Sequence, residues 1–304
     1  MEFFRSNTKI RFMRQRIGAA IFSAVIFIAS IIALATQGLT LGLDFTGGSE
    51  VSIQFQQPVD AEQIRQKLAA SGFSHAVVQS YTRTELSIRV PPQKGLTQEQ
   101  LQQQISSALP GAHISSSDFI GPQVSKNLLT NGILAVIVAL LATMAYIAFR
   151  FEYRFALAAA VALIHDPVLI LGIFSFFHIT FDMIVLTGLL TVIGYSLNDT
   201  IVVYDRVREN FRKVRKGTPL EIMDLSINQT LSRTIMTSGL TLVVVLSLLF
   251  FGGQMIHGFA LAMVIGIVIG TYSSIYVAGS LAVALGLDRK HLQQLTKKLE
   301  DELP

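Results

Sequence analysis

Ile17-Gly-Ala-Ala-Ile-Phe-Ser-Ala-Val-Ile-Phe-Ile-Ala-Ser-Ile-Ile-Ala-Leu-Ala-Thr36 runs without a single charged residue. At 1.5 Å per residue, a helix of this length crosses the roughly 30 Å hydrocarbon core of a bilayer. The basic residues ahead of it (Arg5, Lys9, Arg11, Arg14, Arg16) and the triplet Ala33-Leu34-Ala35 also suit a secretory signal with a cleavage site. The run exceeds the ~7 to 15 residue apolar core of such signals, so it reads as a retained span. Five further apolar runs follow at 128–149, 155–177, 184–203, 235–251 and 256–286, which predicts a polytopic α-helical membrane protein with six transmembrane helices.

Composition agrees. Hydrophobic residues make up 51% of the chain, charged residues 14%, and the mean hydropathy is +0.53, too apolar for folding in water alone. The net charge of +4 calls for no nucleic acid, because the excess Lys and Arg flank the apolar runs. This excess lies in the N-terminal segment 1–16, at Arg150 and Arg154, in Arg206 to Lys216, and in the tail 287–304. A six-span count puts all of these on one side, which the positive-inside rule makes cytoplasmic, with both termini there. His178 to Asp182 and Gly252 to Met255 are then tight external turns. With no cysteine, disulfides, thiol nucleophiles and thiolate metal sites are excluded.

Residues 37–126 turn polar and read as a small domain outside the membrane. Ser49 to Phe55 and Thr84 to Val90 alternate polar with apolar, and Ala76 to Tyr81 and His113 to Ile120 read as two more strands. Asp60-x-x-Gln63 and Thr97-x-x-Gln100 have the form of capping boxes that open two helices. The order β, α, β, β, α, β is that of the ferredoxin-like α+β sandwich. On the opposite side, residues 204–233 form a loop in which Thr218-Pro219-x-Glu221 opens an amphipathic helix. Its apolar stripe (Leu220, Met223, Ile227, Leu231) suits a helix lying on the membrane surface.

Three acids fall in or beside spans. Asp182 sits at an outer boundary, where hydration explains it. Asp166, between His165 and Pro167, lies about 16 Å into its span. Two readings stand for it: a polar knot that satisfies carbonyls freed by the proline, or a group on a proton path. Asp199 lies one to two turns inside the cytoplasmic end of the fourth span, beside Tyr195, Ser196, Asn198 and Thr200. There the helix macrodipole disfavours an anion, which suits a carboxyl that loads and releases protons, although a snorkelling interfacial acid is the plainer alternative. Arg233, at the start of the next span, is either a topology anchor or a switchable counter-ion for Asp199. Gly258, Ala262, Gly266, Gly270, Ser274, Ala278, Ala282 and Gly286 recur every four residues and read as a packing strip, within the chain or against a partner. No phosphate-binding loop, His-Glu-x-x-His or dinucleotide fingerprint is present, so any energy used must come from an ion gradient.

Leu41-Gly-Leu-Asp-Phe-Thr-Gly-Gly48 and Gly194-Tyr-Ser-Leu-Asn-Asp-Thr-Ile-Val-Val-Tyr-Asp-Arg-Val-Arg-Glu-Asn210, with Arg-Lys-Gly-Thr-Pro219 and Leu231-Ser-Arg-Thr, resemble the SecD/SecF family of protein-export membrane proteins. This family belongs to the resistance-nodulation-division superfamily. The resemblance implies a six-span half that pairs with SecD in the bacterial inner membrane and no enzyme activity. It implies that proton flow drives a late stage of preprotein translocation, after SecA has pushed the chain into SecYEG. Carried over by motif, Asp199 is the proton-coupling carboxylate and Arg233 its partner. His165, Asp166 and Asn198 are secondary candidates, and Asp44, Gly47 and Gly48 are the external signature, read as a tight turn joining the first span to the first strand. No cofactor is implied beyond the proton gradient, and no metal. Two other readings remain: a stand-alone small-molecule exporter of the same superfamily, and a structural membrane scaffold that leaves the two buried acids unexplained.

Overall fold

The computed structural model describes residues 9–73, 76–80, 82–92, 98–214 and 216–287. Arg5, Tyr81, Lys94, Thr97 and the tail beyond 287 lie outside the described residues. Among the described residues, six helices are long and apolar enough to cross a membrane: Phe12–Thr36, Pro122–Arg150, Tyr153–Phe176, Met183–Lys213, Pro219–Phe251 and Gln254–Ala284. The described residues divide into two compact units, one drawn from 9–40, 135–179 and 184–287, the other from 41–134 and 180–183.

In the helical unit, the third, fourth and sixth spans are the inner ones. Between 50% and 61% of their apolar windows is buried, against 11% to 17% for the other three. Close packing of the fourth and sixth spans uses the small-residue strip. A Cβ on Gly258 would meet Val185 at 2.7 Å, one on Gly266 would meet Val192 at 2.2 Å, and one on Gly270 would meet Ser196 at 3.0 Å. The strip is therefore filled within the chain, where it lets two helix backbones approach. The sixth span is interrupted at Ser274–Ala278 by a π turn, and the buried Tyr204 hydroxyl donates to Ala278 O at 3.1 Å.

The expected loop at 204–233 is corrected. The fourth helix continues to Lys213 and the fifth already begins at Pro219, capped by a reciprocal Thr218–Glu221 box. No glycine or proline falls between Gly194 and Gly217, so nothing stops the helix where the hydropathy stops. Met223 and Ile227 are buried with Tyr204, Val207, Phe211, Phe155 and Met13 in one cluster, with Leu220 packed against it. That stripe faces the protein's own core and belongs to the fifth helix itself.

The second unit is the α+β sandwich. Strands β1 (Gly48–Phe55), β2 (Val77–Ser80), β3 (Glu85–Val90) and β4 (Ala112–Ile120) form an antiparallel sheet in the order β2-β3-β1-β4. Helices Ala61–Ala70 and Gln98–Ala108 bury Ile64, Leu68, Leu101 and Ile105 with Val51, Ile53, Leu86 and Ile88 of the sheet. Asp60 caps the first of these helices through Glu62 N–H at 3.0 Å. Gln63 returns no bond, so this is a simple cap and not the expected box.

Candidate functional site

The third span carries Asp166 beside a proline inside the helix, which lacks the N–H that would bond Leu163 O. Asp166 is 1% exposed and has three partners. His165 Nδ1 lies 2.9 Å from its Oδ1, while Ser196 Oγ and Ser273 Oγ donate to its Oδ2 at 2.5 and 2.7 Å. The His165 ring stacks on Phe27 with centroids 5.8 Å apart, and its Nε2 is buried without a hydrogen-bond partner. Spans three, four and six therefore meet at one carboxylate, and that carboxylate is well supplied with donors.

Asp199, 2% exposed, is supplied more thinly. Ser238 Oγ of the fifth span donates to its Oδ2 at 3.2 Å, and Ser238 in turn accepts from Thr271 Oγ1 of the sixth at 3.2 Å and from Tyr195 OH at 3.5 Å. One neutral hydroxyl is little compensation for a buried full charge. Ser196 and Asp199 are three apart on the fourth helix, and Thr271 and Ser273 two apart on the sixth, so the two carboxylates share one polar junction.

Arg233 is not where the expected pairing would put it. It is exposed, and Asp199 forms no ion pair among the described residues. Helical phase is the reason. Ser238, five residues on, is turned about 140° from Arg233 around the helix axis. Thr234 and Ser238, four apart, form the inward face. Asn198 is likewise exposed and is not brought to either carboxylate.

The signature residues lie in the second unit. A short helical turn, Leu43–Thr46, is followed by Gly47 and Gly48 at φ of 67° and 113°. A Cβ on Gly48 would stand 2.3 Å from Val90 O, so the turn accepts no side chain there. Asp44 Oδ2 accepts from Met183 N at 2.9 Å, capping the first residue of the fourth helix. Sequence reading missed this role, and it missed Ser238, Thr271 and Ser273, whose hydroxyls carry no signal when seen singly in an apolar run.

Comparison with known proteins locates this geometry in a family. Residues 100–288 match the family described as protein export membrane protein SecD/SecF, C-terminal, and residues 32–59 match the SecD/SecF GG motif. The chain is 46% identical over 313 residues to the protein translocase subunit SecF of Vibrio alginolyticus, covering 100% of this chain and 99% of that one. It is 44% identical to the subunit of the same name from Escherichia coli O157:H7, covering 96% and 92%. Among solved structures, it is similar to SecDF of Thermus thermophilus, described as a translocon-associated membrane protein, with a TM-score of 0.86 and 35% identity. That match covers 93% of this chain and 39% of the SecDF chain. A SecDF structure in a super-membrane-facing form matches with a TM-score of 0.66.

Proposed function

The chain belongs to the SecD/SecF family of protein-export membrane proteins, and on that premise we propose that it is an accessory subunit of the Sec protein translocase. With SecD as the other six-span half, it uses the proton gradient to drive a late stage of preprotein translocation across the bacterial inner membrane. SecYEG and SecA act on the same preprotein. The protein catalyses no covalent step and needs no cofactor. Both termini are cytoplasmic and the α+β unit is on the far side, as the basic segments indicate.

The observation that carries this reading is the contrast between the two buried carboxyls. Environments that differ this much assign different duties. Asp166, held by two hydroxyls and His165, is the fixed polar knot that ties three spans together. Asp199, held by one hydroxyl, exchanges protons. When Asp199 is ionised, the fifth helix turns so that Arg233 replaces Ser238 at the carboxylate, and proton uptake returns Ser238. A proton crossing 100 mV releases ~2.3 kcal/mol, enough to shift a two-state population roughly fiftyfold.

Asp199→Asn tests the proposal. The variant keeps the Ser238 hydrogen bond but cannot exchange a proton. It is expected to insert and to bind its partner subunit at normal levels while losing the part of preprotein translocation that depends on the proton gradient. Gradient-dependent translocation at the unmodified rate would remove Asp199 from the mechanism.

A further inference from the structure

The polar face of the sheet holds a part-buried ion pair that membrane chemistry does not use. Arg89 of β3 stands opposite Glu50 of β1 in the strand register, with Nε 3.1 Å from Glu50 Oε2. Ser87, fully buried, donates to the other Glu50 oxygen. A guanidinium is costly to bury unless its donors are all placed, and the far end of Arg89 is placed on a turn from a distant part of the sequence. Its Nη2 donates to Thr180 Oγ1 at 3.1 Å and to Gln79 Oε1 at 3.3 Å, and its Nη1 to Leu41 O at 3.4 Å. Thr180 Oγ1 itself donates to Gln79 at 2.5 Å.

The signature holds the same turn from its other side. Gly42 N–H donates to Phe181 O at 2.8 Å, and the Phe45 ring stacks on Phe181 at 5.9 Å. A Cβ on Gly42 would stand 2.7 Å from Asp182 Cβ, so only glycine allows this approach. Asp44 then caps Met183, its charge at a helix N-terminus where the macrodipole favours an anion. Every residue from Thr180 to Met183 is thus gripped by the signature or by β3. The four residues cluster with the α+β unit, not with the helices they join. Met183 also begins the unbroken helix that carries Ser196 and Asp199, with Asp199 about 24 Å further along a rigid rod.

We infer that residues 41–48, with Arg89 and Gln79, form a permanently closed clasp on the 180–183 turn, which fixes the first residue of the helix that carries Asp199. Asp44 is its positioning residue. The inference rests on the proton-coupling reading of Asp199 and extends it to the anchoring of its helix.

The test uses the full chain with its partner subunit in native membranes and has two independent readouts. Asp44→Ala is expected to speed amide exchange at Met183 to Val185 roughly fivefold, the scale of a lost helix cap. It is expected to lower gradient-dependent translocation about tenfold, within the range of remote coupling effects, with insertion and partner binding unchanged. Asp44→Asn, which still offers an acceptor oxygen, is expected to fall between Asp44→Ala and the unmodified protein on both. The chain has no cysteine, so Gln79→Cys with Thr180→Cys can be bridged specifically by a short dithiol-reactive linker. The bridged protein is expected to match the unbridged double-cysteine variant in gradient-dependent activity within about twofold, since a clasp that never opens loses nothing by being tied. Loss of that activity on bridging overturns the inference, as does Asp44→Ala with faster exchange and undiminished activity. Asp199→Asn run in parallel separates the two claims. If it retains gradient dependence, the proton reading falls, and the clasp is still judged by exchange and by the bridge.

Discussion

Ser238 Oγ lies 3.2 Å from Asp199 Oδ2 while it accepts a hydrogen bond from Thr271, so the fourth, fifth and sixth spans meet through a single hydroxyl. Removing that hydroxyl with Ser238→Ala leaves a buried carboxyl, Thr271 and Tyr195 each without this partner. The expected cost is about 1–3 kcal/mol of stability, read as a fall in the unfolding temperature in detergent. The C=O stretch of protonated Asp199 in difference infrared spectra is expected to shift to higher frequency. An unmoved band would mean that Ser238 does not bond the carboxyl in the membrane.

Asp199 and Arg233 form no ion pair among the described residues, and in the proposed cycle they pair only after the fifth helix turns. Asp199→Arg with Arg233→Asp, compared with each single change, is expected to show an interaction energy of about 0.5–3 kcal/mol in translocation activity. A double variant no better than the worse single one would remove direct pairing from every state of the cycle.

Asp166 tests the division of duties proposed for the two carboxyls. Asp166→Asn keeps one acceptor oxygen for Ser196 or Ser273 but replaces the other carboxylate oxygen with an amide nitrogen. It is expected to destabilise the protein by about 1–3 kcal/mol, the scale of a buried polar group left unsatisfied, while the molecules that remain folded keep their gradient dependence. Asp199→Asn is expected to show the reverse pattern. Stable protein without gradient dependence after Asp166→Asn would make Asp166 a second proton carrier.

The sequence disclosed what depends on periodicity and left hidden what depends on helical phase or distance. Six apolar runs and the alternation at Ser49 to Phe55 and Thr84 to Val90 were legible because each pattern repeats locally. The continuation of the fourth helix to Lys213 was not, since hydropathy reports solubility in lipid, whereas Tyr204, Val207 and Phe211 are buried against protein. Ser238, Thr271 and Ser273 resemble any hydroxyl that bonds its own helix, as Thr241 and Ser247 do here. The phase argument that turns Arg233 away from Ser238 needs only the sequence, once Ser238 is known to matter. Asp44 capping Met183 joins residues 139 apart, and no local pattern announces such a pair.

The contact between the fourth and sixth spans gives a prediction that needs no transport assay. A Cβ on Gly266 would stand 2.2 Å from Val192 Cγ2 and 2.6 Å from its Cγ1. Valine in a helix is nearly confined to one χ1 rotamer, so the side chain cannot swing both methyls clear and the helices must separate. Gly266→Ala is therefore expected to cost about 1–3 kcal/mol despite the better helix propensity of alanine. Gly194→Ala is the control, because no atom lies within 4 Å of its added Cβ. It is expected to be neutral or to stabilise by up to about 1 kcal/mol. Adding Val192→Ala to Gly266→Ala is expected to recover much of the loss, since the two small residues then share the volume of one valine. If Gly266→Ala unfolds at the same temperature as Gly194→Ala, the close approach of these helices is not a feature of the folded protein.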